Sequence, residues 1–250
     1  MAKVLVTRPA GQAQALCERL RAAGFHPVHQ PMLKIRGCAE PAAEQRQRLM
    51  ELDQYQWVIF VSGNAVKFGM NWIEQFWPQL PLGINWYTVG SGSAEALSAH
   101  GLAVNSPQRM DSEGLLAEPA LQSLNGEKVL IVKGEGGRNL LQQRLRERGA
   151  KVDLLSAYQR LPPDLAAQQL KDLFEQHSFA AVLISSGEGL TNMLSLLGER
   201  AVAIAADSRV VVPGQRVAEL AAESGFRRIA VSENATDEAM LRALQGAMRE

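Results

Sequence analysis

The feature that most constrains this chain is that its strand–helix pattern is written twice. Lys3-Val4-Leu5-Val6 opens an apolar run, a helical pattern follows, and Gly24 closes it. Lys128-Val129-Leu130-Ile131 does the same and Gly149 closes it, at an offset of 125 residues (Lys3 to Lys128). At that offset nine of the 22 positions from 3 to 24 are identical. A second block, Val58 to Gly63, matches Val182 to Gly187 at an offset of 124 (Ser62 to Ser186). A third, Val89-Gly90-Ser91-Gly92-Ser93, is aligned with Val212-Pro213-Gly214-Gln215-Arg216 at 123 (Val89 to Val212). A fourth sets Ser112, as a helix N-cap, against Thr236. Each copy alternates apolar, strand-like runs with amphipathic helices. That order predicts two doubly wound parallel-sheet (flavodoxin-like) α/β domains.

A chain of 250 residues is long enough for two such cores. Lys+Arg and Asp+Glu both number 26, so no global field draws the chain to nucleic acid or to an anionic membrane. Two cysteines, Cys17 and Cys38, are too few for a disulfide framework or a zinc site. The start Met-Ala-Lys leads directly into a strand-like run, with no signal peptide and no long apolar span. The expectation is a cytoplasmic monomer without nucleic-acid or membrane partners.

Two assemblies satisfy the repeat. Tandem domains would split near residue 125. Alternatively, the first strand joins the last three strand–helix blocks, and the middle of the chain is an inserted domain. Pro31 to Arg36 and Leu154 to Arg160 are equivalent extended stretches that would pair as a ribbon between domains, and Pro162-Pro163-Asp164 punctuates the second of them.

In open α/β sheets ligands bind beyond the carboxyl ends of the strands. Six small polar loops occupy those places: Thr7-Arg8-Pro9, Ser62-Gly63-Asn64, Ser91-Gly92-Ser93, Lys133 to Arg138, Ser185-Ser186-Gly187 and Gly214-Gln215-Arg216. Each precedes a helix, where unsatisfied N–H groups and the helix dipole favour an anion. Taken singly, each loop is accounted for by helix capping. Six alike, with Arg8, Lys133, Arg138 and Arg216 among them, point to an anionic ligand. Gly134-Glu135-Gly136 lacks the third glycine of a dinucleotide fingerprint, since Asn139 stands there. No GxSxG elbow or Walker loop occurs, and His26 and His29 alternate on a strand rather than converge on a metal. Tyr158 lies on one expected ribbon strand; it reads either as ribbon packing or as a phenol able to donate a proton in the interdomain cleft.

Taken together, Val4-Leu5-Val6-Thr7-Arg8-Pro9, Phe60 to Val66, Val89 to Ala94, Lys133 to Arg138 and Ala157-Tyr158-Gln159-Arg160, in this order and spacing, resemble the uroporphyrinogen-III synthase family. The resemblance implies two α/β domains joined by a two-stranded β-ribbon. It makes the first domain discontinuous (1–35 plus 162–250), the second inserted (37–153), and the ribbon residues 31–36 and 154–160. It implies cyclisation of hydroxymethylbilane, a linear tetrapyrrole, with loss of water, inversion of ring D and no cofactor or metal. It carries an assisting role to Tyr158 and substrate binding to the loops above. Where the family often has a Thr pair, this chain has Gln215 and Arg216, so backbone N–H contacts carry that loop. A competing reading is a two-lobed small-molecule binding or sensor protein of periplasmic-binding-protein architecture.

Overall fold

The computed structural model describes residues 1–137, 139–204 and 208–249. In chain order the first elements are β1 (Lys3–Val6), α1 (Gln14–Ala22), β2 (His26–His29), β3 (Lys34–Gly37), α2 (Ala43–Met50), β4 (Trp57–Phe60), α3 (Gly63–Phe76), β5 (Asn85–Thr88), α4 (Ser91–Ser98), β6 (Val104–Asn105) and α5 (Ser112–Ala117). There follow β7 (Lys128–Gly134), α6 (Leu140–Glu147), β8 (Lys151–Leu161), α7 (Ala167–Gln176), β9 (Phe179–Leu183), α8 (Gly187–Leu197), α9 (Ala201–Ile204), β10 (Arg209–Val212), α10 (Gln215–Glu223), β11 (Ile229–Val231) and α11 (Asp237–Ala247). The chain divides into two compact units, Met1–Ile35 with Leu161–Glu250, and Arg36–Arg160.

The first unit holds a sheet of order β11-β10-β9-β1-β2 with every pairing parallel. The second sheet has the order β3-β8-β7-β4-β5-β6, and β8, β7, β4, β5 and β6 are joined by parallel pairings. Numbered within each copy, both sheets follow the 2-1-3-4-5 order of the flavodoxin-like fold. The duplication extends to backbone conformation. Gly11 and Gly136 have φ of +76° and +67°, and Gly24 and Gly149 have +83° and +93°. Both pairs stand at the 125-residue offset, so glycine recurs where each turn enters the left-handed region.

Three details differ from the sequence expectations. The third block aligns at 124 rather than 123, because the N-cap residues are Gly90 and Gly214. The α5 N-cap is Asp111, whose carboxylate accepts from Gly114 N at 2.7 Å, and Ser112 is the first helical residue. An ionised carboxylate beside free N–H groups outcompetes a hydroxyl one place later. The extended stretch expected over 31–36 forms a strand only over 34–37, and residues 154–158 lie in the parallel ladder with β7.

Alternation along the strands fills both faces of each sheet, as parallel sheets require. In the first unit Leu5, Val182, Val210 and Val212 pack with Leu170, Leu190 and Met193, while Val4, Val6, Leu183 and Val211 pack with Leu16, Leu20, Met240 and Leu244. In the second, Ile59, Val129 and Ile131 pack with Leu115, Leu141 and Leu145. The opposite face receives α3, which approaches so closely that a Cβ at Gly69 would lie 2.5 Å from Val132 Cγ1. Among the described residues no helix is long and apolar enough to cross a membrane.

Candidate active site

The strand-end loops after β4 and β9 are geometric twins. Ser62 has φ −166° and ψ 164°, and Ser186 has φ −162° and ψ 157°. Each Oγ accepts a hydrogen bond of 3.1 Å from the N–H three residues on, Ala65 and Gly189 respectively. Gly63 and Gly187 open the helices α3 and α8. A Cβ at Gly63 would meet nothing within 4 Å, so a ligand has close access to that backbone. Asn64 follows in the first turn of α3, and Ser185, half-buried, ends the run after β9.

One twin has an additional partner. Tyr158 on β8 places its Oη 3.1 Å from Ser62 Oγ. The placement depends on a bulge: Lys133 is paired with Ser156, but the next residue, Gly134, is paired with Tyr158, so Ala157 is the extra residue. Bulges re-aim side chains in this way and recur beside active sites. Opposite the ring, Gly134 leaves the space it needs, since a Cβ there would lie 2.7 Å from two ring carbons. Phe68 of α3 covers the ring at a centroid distance of 6.0 Å. Tyr158 is 4% exposed; its ring packs within the second unit with the hydroxyl at the N-terminus of α3. The ring thus sits in a packed setting.

Lys133 and Arg160 flank a cavity of about 170 Å³ beyond the end of β7, with Gly134, Gly136 and Gly137 on its wall and Ser112 at its rim. Burial, and then the Arg160 guanidinium, push the Lys133 ammonium pKa below its ordinary value. Arg160 Nη2 also donates to Glu135 O at 3.3 Å, and Gln159 Nε2 donates to Glu135 Oε2 at 2.9 Å. The glutamate is therefore a bracket between β7 and β8. Arg138 lies outside the described residues.

The remaining loops divide by role. Ser91 and Gly92 are exposed in the first turn of α4, where the Ser91 hydroxyl faces Met110 Sδ at 3.5 Å, and Ser93 N donates back to Gly90 O at 3.1 Å. Gln215 and Arg216 are exposed in the first turn of α10. Gly214 caps that helix at φ +153° and ψ 169°, a conformation essentially restricted to glycine. Gly214→Ala is therefore expected to destabilise the protein by about 1–3 kcal/mol, read as a lowered denaturant midpoint. An unchanged midpoint would show that the loop relaxes without strain. Thr7 and Arg8 are engaged inside the first unit: the Thr7 hydroxyl donates to Leu183 O at 2.8 Å, and Arg8 pairs with Asp237 and the Ala235 carbonyl. Among the described residues no group of His, Cys, Asp and Glu is arranged to hold a metal.

Sequence reasoning did not single out Gly134 or Phe68 as neighbours of Tyr158. The available signal for Gly134 was a glycine ending a strand beside the Tyr158 tract, since glycine at such a place marks a bulge or a close approach.

This arrangement has relatives. The family description "Uroporphyrinogen-III synthase HemD" matches residues 14–242. The uroporphyrinogen-III synthase of Escherichia coli K12 is 32% identical over 97% of this chain and 99% of its own length. That of Salmonella typhimurium LT2 is likewise 32% identical, over the same shares. Two solved structures share the fold. A mutant uroporphyrinogen III synthase of Thermus thermophilus has a TM-score of 0.66 at 18% identity, covering 100% of this chain and 99% of its own. The enzyme of Helicobacter pylori 26695 has a TM-score of 0.65 at 14% identity, covering 98% and 99%. Matched along almost its whole length by family, sequence and fold, the chain belongs to the uroporphyrinogen-III synthase family.

Proposed function

We propose that this enzyme closes hydroxymethylbilane to uroporphyrinogen III in tetrapyrrole biosynthesis, and that Tyr158 assists the departure of the terminal hydroxyl. In this reaction the C–O bond at the hydroxymethyl end breaks and the hydroxide leaves as water after gaining a proton. The hydroxymethyl carbon then bonds to the α-carbon of ring D that carried the chain, the old bond from that carbon to its bridge breaks, and the bridge bonds to the free α-carbon, which gives up its proton; the macrocycle closes with ring D inverted. The observation that carries the reading is the Tyr158 hydroxyl at the N-terminus of α3, 3.1 Å from Ser62 Oγ, in a member of this family. A poor leaving group needs a proton or a strong hydrogen bond, and a positioned phenol supplies either. The carboxylates of the substrate are held by helix N-termini: Gly63, Asn64 and Ser91 to Ser93 in the second unit, and Ser185 to Gly187 and Gly214 to Arg216 in the first. Lys133 and Arg138 add cationic attraction. Many carboxylates are better matched by many N–H donors than by a few bases, and the task is to position one closure ahead of another. The enzyme acts as a cytoplasmic monomer, each unit burying its own core.

The test is incubation with hydroxymethylbilane followed by separation of the oxidised porphyrin isomers. The III isomer is expected to dominate. The I isomer alone, which the bilane forms unaided, would overturn the reading and favour a two-lobed binding protein.

A further inference from the structure

Tyr158 and Ser62 share one hydrogen bond, and the distance leaves its direction open. The surroundings of Ser62 assign it. A serine hydroxyl has one proton and two lone pairs. Ser62 Oγ already accepts from Ala65 N at 3.1 Å, as the N-cap of a fourteen-residue helix. Donation into an oxygen polarises it and strengthens its own O–H as a donor, so hydrogen bonds in series reinforce one another. The positive N-terminus of α3 also favours electron density on an acceptor beside it. That positive end repels a hydroxyl proton as well, so with Ala65 N already donating to Ser62 Oγ the Ser62 proton turns away from the helix, toward Tyr158 Oη.

We infer that Ser62 is a positioning residue: by donating to Tyr158 Oη it turns the phenolic proton away from the protein and toward the reacting oxygen. The inference rests on the assignment of Tyr158 to the reaction. In the reverse arrangement, Tyr158 would spend its proton on Ser62 and have none to offer. Three features hold the phenol in place for this purpose. The bulge at Ala157 sets Tyr158 opposite Gly134, the missing Cβ at 134 admits the ring, and Phe68 covers it. The repeat shows that the cap alone does not require the arrangement. Ser186 has the same backbone angles and the same 3.1 Å bond to its helix, yet the residue 125 places before Tyr158 is Leu33, which has no hydroxyl.

The experiment separates capping from proton orientation. Ser62→Asp keeps a good cap acceptor but offers no donor when ionised, and it would draw the Tyr158 proton inward. Its thermal midpoint is expected to stay near that of the parent while kcat falls roughly ten- to a hundredfold, the scale of a misplaced reacting group, with KM little changed. Ser62→Thr, which keeps both cap and donor, is expected to restore most of kcat. In protein with ¹³Cζ-labelled tyrosine, the Tyr158 resonance is expected to move in Ser62→Ala and Ser62→Asp. It should stay in place in Ser186→Ala, which removes the matching cap. Combining Ser62→Asp with Tyr158→Phe is expected to be no slower than Tyr158→Phe alone. A slow Tyr158→Phe beside a fully active Ser62→Asp would overturn the role of Ser62 and leave Tyr158 in the reaction. A fully active Tyr158→Phe would instead remove the reading on which the role rests. A loss of kcat in Ser62→Asp that tracks a lowered midpoint would reduce Ser62 to a cap.

Discussion

Tyr158→Phe is expected to lower kcat by roughly 10²–10⁴-fold, the span for a positioned acid, with KM little changed. The ring remains, so its contacts with Phe68 and its fit against Gly134 persist. What is lost is one hydroxyl. Its partner, Ser62 Oγ, keeps the bond from Ala65 N and is only half-buried, so the proton it gave to Tyr158 is not trapped in a dry core. Stability should therefore move by no more than about 1 kcal/mol. The product should remain the III isomer, because the loops at the helix N-termini fold the bilane and are untouched. Steady-state kinetics with isomer analysis checks both points. Full activity would exclude Tyr158 from the chemistry, and a shift to the I isomer would make it a residue that positions the chain ends.

Gly69→Ala is expected to damage the second unit through packing. Helix propensity alone would favour alanine by about 1 kcal/mol. Against this, the new Cβ would stand 2.5 Å from Val132 Cγ1 and 3.1 Å from Phe60 Cε1, and both side chains are completely buried in the central strands. Neither has solvent to swing into, so α3 must lift off the sheet. Overpacking of this kind costs about 1–3 kcal/mol, and between two fixed side chains the upper end applies, leaving a net loss of about 2 kcal/mol. Because α3 carries Ser62 at its N-cap, activity should fall with stability. Gly246→Ala is the matched control: it is also helical, but its Cβ would meet nothing within 4 Å, and it should stabilise slightly. Denaturant midpoints of the two variants decide the matter; a Gly69→Ala protein as stable as the parent would show that the sheet yields.

Local chemistry was legible in the residues. The order of strands and helices follows from apolar runs, amphipathic spacing and glycine stops, all of which act over a few residues. The Ser-Gly pairs at 62 and 186 cap helices where they were expected to, since a cap involves only the next three N–H groups. The residues that carry the resemblance also led to the family, because their order along the chain was enough. What the residues left open without the resemblance depends on partners distant in sequence. Both copies contribute equally apolar first strands, so the repeat left open which sheet β1 would enter. It pairs with β9, Lys3 beside Phe179, a choice made by sheet-wide packing. The Arg8 charge looked available for a ligand until folding brought Asp237 to it. The facing of Tyr158 was equally unreadable. One-for-one pairing would put Ala157 opposite Gly134, and one extra residue in β8 puts Tyr158 there instead. A bulge is a property of two strands in register, and a single strand's sequence carries only its own half of that register.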